Sequence, residues 1–140
     1  MATTISRDTS SAVETEAAGE ELGRRLRAGD LVLLKGELGA GKTTFVRGMA
    51  RGAGSAAQVA SPTFQLVRVY RGRVQLAHVD LYRLEKDDEI RDVGLDELLD
   101  AGAVVVEWGE RLTGASGALI SIEHLGGDRR RLTVERDLPR

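Results

Sequence analysis

The sequence predicts an α/β fold of the P-loop NTPase-like type, a three-layer sandwich with a mixed central sheet. A buried apolar run precedes a glycine-rich segment and an amphipathic run follows it, which is the order of strand, loop and helix that a phosphate-binding loop requires. Two other regions alternate apolar and polar residues around short turns, which indicates antiparallel hairpins in the same sheet. A chain of 140 residues buries a single core, so residues 1–140 are predicted to form one domain.

The elements before and around the glycine-rich segment follow from capping residues and from periodicity. Ser11 and Glu14 have the spacing of a capping box, which opens a helix, and Gly29 ends that helix. In the helix that follows the glycine-rich segment, the apolar residues share one face. In chain order the predicted elements are an edge strand at 3–6, a helix from 11 to about 27, a buried strand at 31–34 and a helix at 43–52.

The second half of the chain alternates turn residues with short periodic runs. A small, polar stretch from Gly54 to Phe64 predicts a loop. Gly94 separates two short helices, and the segments 71–72 and 126–128 predict the turns of the two hairpins. The remaining predicted elements are strands at 65–70 and 73–79, helices at 86–93 and 95–99, a buried strand at 103–106, and strands at 119–124 and 131–135.

The segment 36–43, GELGAGKT, matches the phosphate-loop pattern G-x-x-x-x-G-K-[ST]. Its glycines let successive backbone N–H groups point at phosphate oxygens, and the dipole of the following helix favours an anion. Lys42 would place a positive charge on the outer phosphates, and the Thr43 hydroxyl would complete a magnesium shell. The expected ligand is therefore a magnesium-bound di- or triphosphate, and a glycine-rich turn with an incidental lysine is the alternative. The residues expected around the phosphates are Glu37, Leu38, Gly39, Ala40, Gly41, Lys42, Thr43 and Thr44.

Two acidic residues end predicted strands, where a phosphate-loop protein holds its metal ion and orients water. Asp80 follows the strand segment 76–79, and Glu107 follows the more apolar segment 104–106. One such carboxylate can hold magnesium directly or through water, and a second can orient the attacking water. Either residue can take either part, although hydrophobicity alone favours Glu107 as the metal-side group. The alternative is that one or both cap a helix or meet an arginine.

Other candidate residues each have a simpler structural interpretation. Thr63 lies in a Ser-Pro-Thr-Phe segment, where nucleotide switches often carry a threonine, but the segment is equally an ordinary turn. Trp108, the only tryptophan, can stack on a base, fill a partner's pocket or belong to the core. Arg130 lies on a solvated hairpin end that could reach back to a phosphate or ribose. His78 and His124 have no second ligand at metal spacing and are predicted to be structural.

Composition excludes several classes of protein. A net charge of -2 and a pI of about 5.7 do not favour direct nucleic-acid binding by the bulk surface. Without cysteine there is no disulfide, thiolate metal site or thiol nucleophile. The sequence contains neither a basic-then-apolar leader nor an apolar run of membrane-spanning length, so a cytoplasmic protein is expected.

Four segments together resemble the TsaE family, formerly called YjeE. They are GELGAGKTT at 36–44, SPTF at 61–64, HVDLYRL at 78–84 and VEW at 106–108, and their order and spacing match the family throughout. The resemblance covers roughly residues 3–135, and the combination is far more specific than any one segment. One departure is Gly109, where many members have proline; no chemical group is lost there.

The resemblance implies an ATPase required for bacterial tRNA threonylcarbamoyladenosine (t6A) synthesis. Such a protein docks on the TsaB–TsaD pair, and its turnover of ATP resets that complex between modification cycles, while TsaD performs the modification itself. The implied cofactors are ATP and Mg²⁺, and hydrolysis by the isolated chain is expected to be slow. The roles implied by position are Lys42 on the outer phosphates, Thr43 on magnesium, Glu107 as a second metal-side ligand, Asp80 as the Walker-B-like carboxylate, Thr63 as the switch residue, Trp108 at the nucleotide or partner surface, and Arg130 near the nucleotide.

Other nucleotide-dependent functions compete with this interpretation. A GTPase needs an Asn- or Thr-Lys-x-Asp element to recognise guanine. The chain has no asparagine, and its only similar string is EKDD at 85–88, so GTP is disfavoured. A small P-loop kinase needs an acceptor pocket and a lid, for which 140 residues leave little room. The remaining alternative is a binding module in which the nucleotide orders a docking surface and is hardly hydrolysed.

Overall fold

A mixed sheet forms the middle layer of the fold. The computed structural model describes residues 5–37, 41–56, 67–81, 94–108 and 117–134. Within these residues the sheet has seven strands in the order β1-β7-β6-β2-β5-β4-β3. The strands are β1 (Ile5–Thr9), β2 (Leu31–Lys35), β3 (Val67–Tyr70), β4 (Leu76–Asp80), β5 (Ala103–Glu107), β6 (Ala118–Gly126) and β7 (Arg129–Val134), and the helices are α1 (Ala12–Gly23), α2 (Lys42–Gly52) and α3 (Leu95–Ala101).

The centre of the sheet is parallel and its outer parts are antiparallel. β2 pairs in parallel with both β5 and β6, and β4 pairs in parallel with β5. The hairpins β3–β4 and β6–β7, together with the β1–β7 pair, are antiparallel. The predicted α/β fold with a mixed sheet is therefore confirmed. Because β4, β5 and β2 are parallel neighbours, their carboxyl ends meet at the same edge of the sheet.

Apolar side chains on both faces of the central strands produce the three layers. β2 and β5 are almost continuously apolar, as expected for strands that are covered on both faces. Val32 and Val105 point into the cluster under α1 and α2, whereas Leu33 and Val104 point into the cluster that Leu98 of α3 joins. None of the described helices is long and apolar enough to span a membrane.

Glycines let α1 and α2 pack backbone against backbone. Gly19 and Gly23 lie one turn apart on α1, and Gly48 and Gly52 have the same spacing on α2. A Cβ atom on any of them would lie between 1.9 and 2.2 Å from a carbonyl oxygen of the other helix; for Gly48 that oxygen belongs to Glu16. The contacts follow the same direction along both helices. The helices are therefore parallel, and their N-terminal ends lie together.

Helix α1 is shorter than the sequence predicts, since it ends at Gly23 and the predicted end was near residue 27. Beyond it, the N–H groups of Arg25 and Leu26 bond to carbonyl oxygens three residues earlier, so the chain leaves the α-helical pattern. The guanidinium of Arg73 donates to the carbonyl oxygens of Gly23 and Leu26, both at 3.0 Å. This distant arginine satisfies the carbonyl groups that a longer helix would have used internally.

The other predicted elements differ from the structure mainly at their ends. β1 lies at an edge of the sheet as predicted but continues to Thr9, and the turn of the second hairpin consists of residues 127–128 alone. β4 and β5 include Asp80 and Glu107 as their last residues. The predicted helix at 86–93 and most of the predicted loop at 54–64 lie outside the described residues.

We expect Gly48→Ala to destabilise the protein, although alanine favours a helix over glycine by about 0.8–1 kcal/mol. The added methyl group meets the Glu16 carbonyl oxygen, so α1 and α2 must separate. The free energy of unfolding should fall by about 1–3 kcal/mol, the usual cost of overpacking. Urea denaturation followed by circular dichroism measures this change. Arg47→Ala, an exposed position in the same helix, is the control and should change stability by less than about 0.5 kcal/mol.

Candidate functional site

The carboxyl edge of the parallel strands carries several of the predicted site residues. Gly36 follows the last residue of β2, while Asp80 and Glu107 end β4 and β5. In the strand register Glu107 lies beside Leu34 on one side and beside Asp80 on the other. The two acidic residues are therefore direct neighbours at the point where the glycine-rich segment leaves the sheet. The sequence predicted their position at strand ends but did not predict that they are adjacent.

The end of the glycine-rich segment begins α2. Gly41 has φ 101°, a left-handed conformation that favours glycine, and no side chain caps the helix. The N–H groups of the first turn thus point out of the N-terminal end of the helix, which is the arrangement that binds phosphate at helix N-termini. Thr43 and Thr44 are half-buried in this turn, and Glu37 is exposed. The predicted phosphate-contacting residues Leu38, Gly39 and Ala40 lie outside the described residues.

The ammonium group of Lys42 lies between the start of the loop and the end of β5. Its Nζ donates a hydrogen bond to the Gly36 carbonyl oxygen at 2.7 Å and lies 3.7 Å from the centre of the Trp108 ring. Lys42 is only 5% exposed. A cation over an indole face is attracted by the ring, and the attraction is larger where water is excluded. Trp108 therefore contacts the loop lysine as well as the apolar cluster on the α3 side of the sheet.

The backbone of Trp108 explains how its ring reaches the loop. Trp108 has φ 63°, and among the described residues it is the only one other than glycine with positive φ. This conformation is unfavourable for a bulky residue and turns the chain directly after Glu107. Trp108 was predicted either to belong to the core or to contact a nucleotide or partner. Its ring is partly buried and also lies at the candidate site.

Glu107 is buried and bonded to His78, which the sequence predicts to be structural. Its Oε2 lies 2.5 Å from Nε2 of His78, and the two residues are 4% and 0% exposed. The hydroxyl of Tyr70 lies 3.3 Å from Nδ1 of the same imidazole. The alternation of β4 already put His78 and Asp80 on one face. Only the pairing with β5 shows that this face also carries Glu107.

Arg130 and a small cavity lie on the other side of the loop. The cavity has a volume of about 30 Å³ and is lined by Ala12, Thr15, Gly41, Thr44, Asp128 and Arg130. Nε of Arg130 would lie 3.3 Å from a Cβ atom placed on Gly41. Its neighbour Arg131 instead donates to Asp8 of β1 at 2.9 Å, and this hydrogen bond lowers the pKa of the Asp8 carboxyl below its usual range. The tip of the second hairpin thus folds over the start of α2.

The described residues contain no group of three or more His, Cys, Asp or Glu side chains that could hold a metal ion alone. Magnesium does not need such a group, because it is often held by one or two carboxylates, water and the phosphates of a nucleotide. Thr43, Glu107 and Asp80 all offer oxygen ligands, which suit this hard cation. The predicted switch residue Thr63 lies outside the described residues.

The fold and this arrangement of loop, helix and strand ends define an α/β protein of the P-loop NTPase-like class. Within that class, the family of threonylcarbamoyl adenosine biosynthesis proteins, TsaE, matches residues 9–133. The chain belongs to the TsaE family, and the resemblance found in the sequence is confirmed. The TsaE family takes part in t6A biosynthesis, and this chain is a member of that family.

Several curated relatives carry the name tRNA threonylcarbamoyladenosine biosynthesis protein TsaE. The protein from Treponema pallidum is 41% identical over 128 residues, which cover 89% of this chain and 95% of the relative. The protein from Streptomyces coelicolor is 48% identical over 124 residues, covering 83% and 78%. A crystal structure of YdiB from Bacillus subtilis superposes with a TM-score of 0.81 at 32% identity, covering 97% of this chain and 87% of that one.

We expect the fluorescence of Trp108 to change when ADP and Mg²⁺ are added. Phosphate oxygens attract the Lys42 ammonium, which would alter the cation that lies 3.7 Å from the indole ring. Because Trp108 is the only tryptophan, emission excited at a wavelength that tyrosine does not absorb reports on the surroundings of this one ring. Free tryptophan titrated in parallel corrects for absorption by the nucleotide. A flat signal at ADP concentrations that saturate the protein in calorimetry would contradict this expectation.

Proposed function

We propose that this protein is the ATPase subunit required for t6A modification of tRNA, and that it binds Mg-ATP and acts on the TsaB–TsaD complex to support its turnover. One observation supports the chemistry most directly. The Lys42 ammonium, the uncapped first turn of α2 and the adjacent residues Asp80 and Glu107 all lie at one edge of the sheet. Membership of the TsaE family connects this site with the t6A pathway.

Positive charges and backbone N–H groups of this chain would bind the phosphates of the nucleotide. The phosphates would lie against the segment 37–44, with Lys42 on the outer phosphates and the N–H groups of the first turn of α2 pointing at them. Arg130 lies beside Gly41 on the cavity side, where it adds positive charge near the phosphates and the ribose. Thr63 is proposed as the residue that responds to the terminal phosphate.

The metal side of the site is assigned to Thr43, Glu107 and Asp80. When bound, Mg²⁺ would neutralise charge on the phosphate oxygens. The Thr43 hydroxyl lies in the first turn of α2, and both carboxylates end strands at the same edge of the sheet. Glu107 would hold the metal ion, and Asp80 would hold it directly or through water and orient the water that attacks the terminal phosphate.

Hydrolysis by the isolated chain is expected to be slow. Phosphoryl transfer depends on positioning water and on stabilising the charge that develops on the transferred group. The chain supplies Lys42 and the helix N-terminus for that charge, and a partner can supply what is missing. This division of work explains how ATP turnover can be coupled to the partner complex.

Removal of Lys42 and removal of the Glu107 charge should have different effects. Lys42→Ala should abolish detectable nucleotide binding, because the main positive charge on the outer phosphates is lost. Glu107→Gln should still bind ADP but lose turnover, by about 100-fold or more if this carboxylate orients the metal or the water. Calorimetry measures binding, and a phosphate-release assay measures turnover.

Glu97→Gln is a matched control for the Glu107 variant, because Glu97 is exposed on α3 and belongs to no proposed site. It should bind and hydrolyse like the wild-type chain. Unchanged turnover in Glu107→Gln would remove Glu107 from the catalytic residues. Transfer of labelled phosphate from ATP to a small-molecule acceptor would favour a kinase instead.

The role in the t6A pathway is tested with the TsaB–TsaD pair. We expect the ATPase rate of the mixture to exceed that of the isolated chain, and capture of TsaB–TsaD to depend on whether ATP or ADP is present. Lys42→Ala is the control, because it should remove both effects. Nucleotide-dependent capture without any gain in hydrolysis would indicate a binding module. No capture under either condition would overturn the assigned partners.

A further inference from the structure

We propose that His78, supported by Tyr70, is a positioning residue that holds the Glu107 carboxylate in the orientation used on the metal side of the site. The inference rests on the proposed function, because it gives Glu107 a task in nucleotide binding. It assigns a role to two residues outside the phosphate loop and the acidic strand ends. Its basis is a continuous line of buried polar contacts across three strands.

The three side chains come from neighbouring strands and are almost completely buried. Tyr70 ends β3, His78 lies in β4 and Glu107 ends β5, and they are 3%, 0% and 4% exposed. Tyr70 and His78 have their ring centres 6.1 Å apart, and His78 reaches Glu107 at 2.5 Å. Burial at this level makes unsatisfied polar atoms costly, so each group needs its partner.

The chemistry of the groups determines which atoms carry the protons. An ionised Glu107 carboxylate only accepts hydrogen bonds, so Nε2 of His78 must be the donor. In the neutral imidazole Nδ1 is then an acceptor, and the Tyr70 hydroxyl donates to it. With Glu107 ionised and His78 neutral, the hydrogen bonds run from the Tyr70 hydroxyl through His78 to Oε2 of Glu107. A leucine or phenylalanine at position 78 would fill space but would not orient the carboxylate.

The position of Glu107 makes such an orienting contact useful. A glutamate at the end of a strand can rotate about several side-chain bonds, and the His78 contact restrains one of its two oxygens. Within the described part of the chain, the only hydrogen bond seen to this carboxylate is on Oε2, and the proposal gives Oε1 to the metal side. Carboxylates and histidines that support metal ligands typically contribute 10–100-fold to metal affinity.

The test measures the Kd for ADP by calorimetry with and without Mg²⁺. We define the metal gain as the Kd without Mg²⁺ divided by the Kd with Mg²⁺. His78→Leu should lower the metal gain by about tenfold. Its Kd for ADP without Mg²⁺ should stay within about twofold, because that binding depends on the phosphate loop. His78→Gln should recover most of the metal gain, since its amide N–H can donate to the same Glu107 oxygen. Tyr70→Phe should show a smaller loss.

A double variant of His78 and Glu107 shows whether His78 positions the carboxylate or only packs in the core. In Glu107→Gln the metal gain is already reduced, so adding His78→Leu should lower it little further. Val79→Ala is the matched control, because it removes buried volume from the opposite face of β4. This control should lower the melting temperature and keep the wild-type metal gain, which separates a loss of stability from a loss of orientation.

Each outcome decides the inference. A full metal gain in His78→Leu, or additive losses with Glu107→Gln, would show that His78 only fills the core. If His78→Leu does not fold, Tyr70→Phe decides: a reduced metal gain supports the inference and an unchanged one overturns it. A wild-type chain that binds ADP without any metal gain also overturns it, but leaves nucleotide binding intact. A wild-type chain that binds no ADP overturns the proposed function itself.

Discussion

Parallel pairing of β2, β5 and β4 is the constraint on which the candidate site depends. It puts the start of the glycine-rich segment, Glu107 and Asp80 side by side at one edge of the sheet. The same register puts His78 on the face that carries Glu107, so the buried contact follows from strand pairing as much as from side-chain choice. A shift of one residue in β4 would turn His78 and Asp80 to the opposite face of the sheet.

The glycine contact between α1 and α2 has a comparable effect on the other side of the loop. Because both helices pack backbone to backbone and in parallel, their first turns come together beside Gly41. The hairpin that carries Arg130 pairs with β1, directly before α1, and this brings Asp128 and Arg130 to the wall of the cavity. Helix packing therefore sets the surroundings of the loop, and four glycines without any catalytic chemistry determine where the first turn of α2 lies.

Burying Tyr70, His78 and Glu107 costs free energy, so a contribution to stability does not explain why these polar residues lie inside the protein. Polar and ionised groups lose hydration when they are buried, and apolar residues of similar size are often at least as stable. A buried carboxylate with one bonded oxygen is, however, well suited to meet a cation at a strand end. The fold thus keeps a polar series inside a mainly apolar face where the proposed chemistry needs a defined orientation.

The local features of this protein follow from residues that are close together in the sequence. The strand and the helix on either side of the glycine-rich segment, the two hairpins and the acidic ends of two strands were predicted, because each depends on residues within a few positions of one another. Other features depend on contacts between distant parts of the chain. The contact between His78 and Glu107 spans 29 residues, the end of α1 depends on Arg73, and the approach of Arg130 to Gly41 requires the hairpin to fold over α2. Strand register and helix packing create these neighbours, and neither leaves a periodic signal in the chain.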